Sequence, residues 1–522
     1  MNLKTCTIVP LNQPASFSPF PFGERVGIGA LVMNFGLKCL HAFALSCSLL
    51  TCCTETIAQQ YPPETALVFQ AMPTVSFPNY LEPIQDPTFG TTITRISDKQ
   101  AFGSTNKVVA HMYSKKQPWN SDGSRIILHR WPAPLLDGST YKFIKFVNVP
   151  GEYSEWSNTD PNKIYGIQNP NSWQSVNVNT NTVTTIRTFT EYDEVSFGNW
   201  EGHLSNDDKY VAFQCKKGTN NILMVYDIPN NTVVSILNVG SNLNDAIAMS
   251  QSGKYVLVWW ESDGNARYQG IELYDRNLKF LRQVGQKVLH SDAGYDTNGN
   301  EVFVCQDVYN SPNNDKSVYT VRLDNGAVTK VLDGAKMSWP IHLSCRNTKR
   351  PGYAYFSEFE ETYGVPTKPN YQKVFALKLD GSEKVENYAH VHHSTFIDYE
   401  WSPFACPNRD GSKVMFRSDW MAGNVGPVYS YVAEYHPLTT NIEEEISEKA
   451  SISPNPSNTN FTLKGFDFSK IKIMSIRNSN GTQIAQISHS FESLGTDLKP
   501  GVYILSVEYQ DNTTSVHKLL KQ

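Results

Sequence analysis

One kind of polar turn recurs seven times along the chain, at SDGS (121–124), TDPN (159–162), NDDK (206–209), QSGK (251–254), TNGN (297–300), KRPG (349–352) and RDGS (409–412). The turn starts at these positions lie 38 to 60 residues apart, with β-rich runs on either side. That spacing suits four-stranded blades arranged around an axis. A second series, IPNN (228–231), LDNG (323–326) and LDGS (379–382), follows apolar runs such as NILMVYD and KVFALKL. Helical periodicity is nearly absent. The pattern predicts an all-β chain with a seven-bladed β-propeller over residues 90–437. Six blades run complete from about 107 to 388, and a seventh has its first strands at 396–435. Thr91–Ile96 is expected to supply the missing strand and close the ring. Two stacked β-sandwiches, the alternative, would not give evenly spaced repeats.

The ends of the chain read differently. Residues 1–58 form a leader, with 1–32 a start-site extension and 33–58 a signal peptide. In that peptide Lys38 precedes the apolar run Leu40–Leu50, and Thr56-Ile57-Ala58 offers a small-residue cleavage site. A lead-in spans 59–89, and no other apolar run is long enough to cross a bilayer. A charged linker at 438–449 leads to a small β-sandwich at 450–522. Its Ser-Pro-Asn-Pro (453–456), Gly481, Pro500-Gly501-Val502-Tyr503 and terminal Lys-Leu-Leu-Lys resemble the C-terminal sorting domain of type IX secretion. The resemblance implies export to the cell surface or medium, with the type IX machinery as a partner. A net charge of −5 without a Lys/Arg block argues against nucleic acid. A monomer without an organic cofactor is expected.

Four cysteines follow the leader, Cys215, Cys305, Cys345 and Cys406, too few for a disulfide scaffold. Centring the turn of HSDAGYDTNGNEVFVC on Thr297-Asn298 sets His290 opposite Cys305, about 5 Å apart at Cβ. An imidazole and a thiolate so placed are half of a tetrahedral zinc site. His342 and Cys345 of the next blade could complete a structural zinc if the chain bends between them, since residues three apart face opposite ways. Cys406 or the His390-Val-His392-His393 cluster could substitute. A buried thiol beside a hydrogen-bonded histidine explains the same pair without metal.

The stretch HMYSKKQPWNSDGSRIILHRW places His111 and His129 around the first turn. An ideal hairpin centred on Asp122-Gly123 pairs His111 with residue 134, leaving the two histidines about 17 Å apart as separate arms. A lyase acting on an acidic polysaccharide must quiet a uronate carboxylate, remove the proton beside it and protonate the leaving oxygen. His and Tyr suit the proton transfers, and Arg suits the carboxylate. The Gly-flanked loop of WWESDGNARYQGIELYD offers Arg267 for substrate and Tyr268 for catalysis, with Arg187, Tyr165 and Tyr226 competing. Trp119 and Trp131 offer sugar-stacking faces, and His203 a further substrate contact. A solvated loop arginine is the ordinary reading of Arg267.

A secreted seven-bladed propeller with an early His…WN-x-DG-x…His hairpin and a type IX tail resembles the propeller ulvan lyases over residues 90–437. The resemblance implies a polysaccharide lyase cleaving a uronate-containing polymer such as ulvan by β-elimination. It also implies catalytic roles for His111 and His129 and a structural zinc. Oligogalacturonate lyases, propellers with a His-rich manganese site, are the rival reading. A non-catalytic propeller that binds glycans or proteins is the alternative, since a fold by itself implies no reaction.

Overall fold

The computed structural model describes residues 61–129, 132–198, 201–285, 290–306, 316–337, 341–358, 368–394, 399–423, 426–436, 451–464, 466–487, 493–510 and 513–522. The leader, the linker and Trp131 lie outside the described residues.

Seven sheets follow one another in chain order from Arg125 to Glu434. The first holds Arg125–Ile127, Ala133–Asp137 and Phe143–Val147, with Trp119 bridging to Ile126 on its inner side. Blades two to five are four-stranded, and their innermost strands are Glu155–Trp156, Glu194–Ser196, Asn244–Met249 and Ser291–Tyr295. Blade six begins at Ile341–Ser344 and takes Thr65–Ala66 of the lead-in as a fifth, outer strand. Blade seven contains Cys406–Pro407, Lys413–Ser418 and Val428–Glu434. Thr92–Arg95 pairs antiparallel with Val428–Glu434, and this closes the seven-bladed propeller.

The blades cohere because most strands are buried on both faces, which explains their near-continuous apolar runs. In Glu301–Gln306, Val302 and Val304 face the cluster shared with blade six, while Phe303 and Cys305 face the cluster shared with blade four. Similar clusters fill the other junctions, and the largest joins blades six, seven and one around Trp119, Tyr355, Phe416 and Tyr431. The tail is a separate β-rich unit with its own core. A sheet of three strands and one of four share Phe461, Leu463, Met474, Ile476, Leu505 and Leu519. Among the described residues, no helix is long and apolar enough to cross a membrane.

Candidate active site

Antiparallel order fixes where chemistry can collect. The recurring turns close the first hairpin of each blade at one end. The links between blades and the loops after each second strand lie at the other.

At that loop end four polar rings converge near the axis. His290 stands immediately before Ser291–Tyr295, and His342 is the second residue of Ile341–Ser344. Their ring centroids are 4.1 Å apart. Tyr399, in the short 3-10 turn Tyr399–Trp401, places its hydroxyl 3.4 Å from Nε2 of His342 and 3.5 Å from Nε2 of His290. The Tyr113 hydroxyl lies 3.2 Å from that of Tyr399. Phe404 packs edge-on against His342 at 4.5 Å and against Tyr113 at 4.8 Å. His342 is 0 % exposed and Tyr399 is 46 % exposed, so the tyrosine is what an incoming molecule meets first.

The electrostatics keep both imidazoles neutral. Burial, aided by the Lys115 charge, lowers His290 to about 3. Burial holds His342 well below its ordinary value, with His290, Arg417 and Lys115 adding to the effect. Burial likewise raises Tyr113 well above the usual phenol range. Lys115 is ion-paired with Glu201 and sits 4.6 Å over the Trp259 ring. Arg417 is the penultimate residue of the second strand of blade seven; its Nε donates to the His111 carbonyl at 2.9 Å, and a terminal nitrogen donates to the Met112 carbonyl.

His111 is buried nearby with both ring nitrogens engaged. Nε2 lies 2.7 Å from the Phe404 carbonyl and must donate, while Nδ1 lies 2.9 Å from the Ser430 hydroxyl and accepts. Burial first, then the charge of Arg417, lowers it to about 3. His111 therefore supports the site from behind and offers no ring nitrogen to a substrate. The expected separation of His111 from His129 does not hold. The hairpin keeps its register at Trp119 and Ile126, but a turn before it, with Lys116 N donating to Tyr113 O, breaks the ideal strand. His129 N consequently donates to Ala110 O at 2.9 Å, next to His111. His129 lines a cavity between blades one and two.

Other expected residues fall elsewhere. Arg267 Nε and the Tyr268 backbone N both donate to Glu272 Oε1 at 3.0 Å, and Trp260 Nε1 donates to the second oxygen at 2.8 Å. They form a knot within blade four, apart from the histidine pair. Trp119 is 1 % exposed in the core and presents no stacking face. His203 belongs to a buried axial network, with Nδ1 3.4 Å from Glu155 and Nε2 3.7 Å from Asp292. Arg346 binds both Asp292 oxygens, at 2.9 and 3.1 Å, and Lys116 lies 3.8 Å from Glu155.

The expected zinc ligands are not brought together. Ser291, not His290, pairs with Cys305, because the turn spans Asp296 to Asn300 and shifts the register by one residue. A one-residue shift moves a side chain to the other face. Cys305 accordingly faces the apolar cluster shared with blade four. Cys345 packs with the blade five and six cluster, and its backbone N donates to Asp292 Oδ2 at 2.7 Å. His290 and His342 do meet, but without the two thiols. Among the described residues, no group of three or more His, Cys, Asp or Glu side chains could hold a metal ion.

Tyr113, Tyr399, Arg417 and Lys115 were not singled out from sequence. Their shared signal is position: Tyr113, Lys115 and Tyr399 stand ahead of an inner strand, and Arg417 is near the end of a second strand.

Comparison with known proteins identifies residues 451–522 as a secretion system C-terminal sorting domain. The sorting domain indicates secretion or cell-surface attachment through the type IX system. No curated protein matches the chain. Among solved structures, the chain is similar to an oligogalacturonate lyase in complex with manganese, at 14% identity and a TM-score of 0.50, over 68% of this chain and 96% of that one. An oligogalacturonate lyase from Vibrio parahaemolyticus is similar at 12% identity and a TM-score of 0.49, over 68% and 97%. The likeness is one of fold. The manganese of that first neighbour and the zinc expected from sequence meet the same test here, and the four rings of this cluster, two imidazoles and two phenols, do not make a full ligand set for either.

Proposed function

We propose that the chain is a secreted lyase that cleaves a uronate-containing polysaccharide, ulvan among the candidates, by β-elimination. The observation that carries this reading is the His290–His342 pair bridged by the Tyr399 hydroxyl at the loop end of the axis. A buried neutral imidazole keeps its lone pair, and the carboxylate of a bound uronate beside His290 would bring its lowered value back up towards the operating pH, where it can accept a proton. His290 is the base, because His342 is fully buried behind it. It takes the proton from the carbon bearing the carboxylate. A carbon–carbon double bond forms as the neighbouring bond to the glycosidic oxygen breaks, and Tyr399 returns a proton to that oxygen. Arg417 and Lys115 supply positive charge beside the pair and favour the negative charge that gathers on the carboxylate as the proton leaves. The fold shared with an oligogalacturonate lyase supports the reaction class.

The test is incubation of the exported protein with ulvan, pectate and alginate, monitoring the ultraviolet absorbance of the unsaturated uronate. His290→Ala and Tyr399→Phe are expected to lower kcat by about 100-fold or more. Absence of product from every uronate polymer, with a folded sample, contradicts the reading and leaves a binding propeller.

A further inference from the structure

The link between blades six and seven carries a bulky side chain on a glycine-like backbone. Phe404, two residues ahead of the inner strand Cys406–Pro407, has a φ of 45°. That left-handed region suits glycine or asparagine and disfavours a large aromatic residue. Asn181 and Asn231 adopt it in hairpin turns, but Phe404 adopts it while buried. Bonds from three blades hold the segment in place. Pro403 O accepts from Arg417 N at 2.7 Å within blade seven. Phe404 O accepts from His111 Nε2 at 2.7 Å, ahead of blade one. Ala405 N donates at 3.1 Å to Oγ of Ser357, in the second strand of blade six, Tyr353–Glu358.

We propose that Phe404 is a positioning residue of the histidine–tyrosine cluster, held in a strained conformation so that its ring aligns His342 with Tyr399 and keeps water from His342. The inference rests on the lyase reading for the reaction that this alignment serves. Three observations carry it. First, the ring meets most of the cluster at once. Its centroid lies 4.5 Å from that of His342, 4.8 Å from Tyr113 and 5.4 Å from Tyr399, edge-on in each case. Second, the guanidinium carbon of Arg417 lies 4.6 Å from the same centroid, so the ring also packs against the cation whose charge reaches His342. Third, Tyr399 and Phe404 stand on one link, so pinning residues 403–405 fixes the exposed phenol relative to the buried imidazole. Filling a core does not require a left-handed backbone. A strained residue persists where its surroundings over-determine it, and such residues gather at active sites.

Nitrogen-15 NMR of the histidine rings in the full chain tests the role without requiring cleavage, with Phe404→Gly as the variant. Glycine accepts the left-handed backbone and removes the aromatic ring. The titratable and charged groups around His342, which are His290, Tyr113, Tyr399, Lys115 and Arg417, stay in place. Water admitted beside His342 weakens the burial that lowers it. The His342 ring is therefore expected to begin taking up a proton on the acid side of neutrality, where the wild-type ring stays neutral. In cleavage assays the same variant is expected to lose about 10- to 100-fold in kcat with KM little changed, and the acid limb of kcat should move to higher pH. Ser357→Ala removes one pin and keeps the ring. It is expected to lower kcat by about threefold alone and to add nothing to Phe404→Gly, where glycine needs no pin. A folded Phe404→Gly that keeps either the wild-type His342 titration or the wild-type kcat overturns the positioning role and leaves the lyase reading standing. Should Phe404→Gly misfold, Ser357→Ala decides: wild-type kcat and wild-type ring spectra overturn the role. An altered His342 titration in Phe404→Gly, with no unsaturated product from any polymer even in the wild type, overturns the lyase reading and keeps Phe404 as the residue that sets the ring geometry.

Discussion

The two ends of the propeller solve the same backbone problem in opposite ways. At the turn end each hairpin is capped by a short-range bond, and longer bonds such as Lys349 Nζ to Ser121 O and Arg409 to Asn120 O then tie one turn to another. Asn120 Oδ1 accepts from Arg125 N at 3.0 Å, and Asn408 Oδ1 from Lys413 N at 3.1 Å. Ser205 Oγ accepts from Tyr210 N at 3.0 Å and Ser250 Oγ from Tyr255 N at 3.2 Å, so one cap reaching five residues ahead serves four blades. At the loop end the bonds run between distant parts of the chain. His111 reaches Ser430 across 319 residues, and Tyr113 reaches Tyr399 across 286. A local cap satisfies its own backbone and leaves little to vary, whereas a non-local contact can bring any pair of side chains together. Chemistry collects at the end whose non-local contacts join ionisable rings, while the long-range bonds of the turn end hold backbone carbonyls and amides.

The largest effect should come from cutting the axis beneath the loop end. Asp292→Ala leaves Arg346 buried without its carboxylate, and denaturant unfolding should show a loss of roughly 3–5 kcal/mol. A loss below about 1 kcal/mol, the range of an exposed ion pair, would mean that the axis does not hold the blades.

Acid should act on the loop end before the turn end. His111, His129 and His290 are lowered to about 3, 4 and 3 from an ordinary value of 6.5. Their unfolded forms take up protons that the folded forms refuse. Stability is therefore full above pH 6.5, falls as pH drops from 6.5 towards these folded values by up to about 1.4 kcal/mol per pH unit for each histidine, and levels off below them. Unfolding measured against pH in His111→Gln should show a shallower slope; an unchanged slope would contradict the assignment of a neutral buried ring.

The smallest effect belongs to the turn end. Asn408→Ala removes one cap and should cost about 1 kcal/mol, with kcat/KM unchanged. A change in activity would break the division between the two ends.

This division also explains what the sequence could reveal. The turns at 121–124 and 409–412 advertise themselves because Asp-Gly and its variants act locally, and Thr92–Arg95 closes the ring as its strand-like composition suggests. His290 and His342 were legible together only as ligands of a structural zinc; the 296–300 turn sets Ser291 opposite Cys305, so the two rings meet without the thiols. Tyr399 and Arg417 carry no local pattern; only the closed ring brings them to the histidines. Trp119 reads as a sugar platform in sequence and is a core residue, because its strand is covered by blade seven.

The most direct measurement of the central claim is the unsaturated-uronate absorbance produced from a uronate heteropolymer by the wild type, by His290→Ala and by His111→Gln, each checked for folding. The account predicts strong product from the wild type, a loss of about 100-fold or more in His290→Ala, and activity near wild type in His111→Gln at neutral pH. Full activity in His290→Ala, with activity lost in a folded His111→Gln, would contradict it.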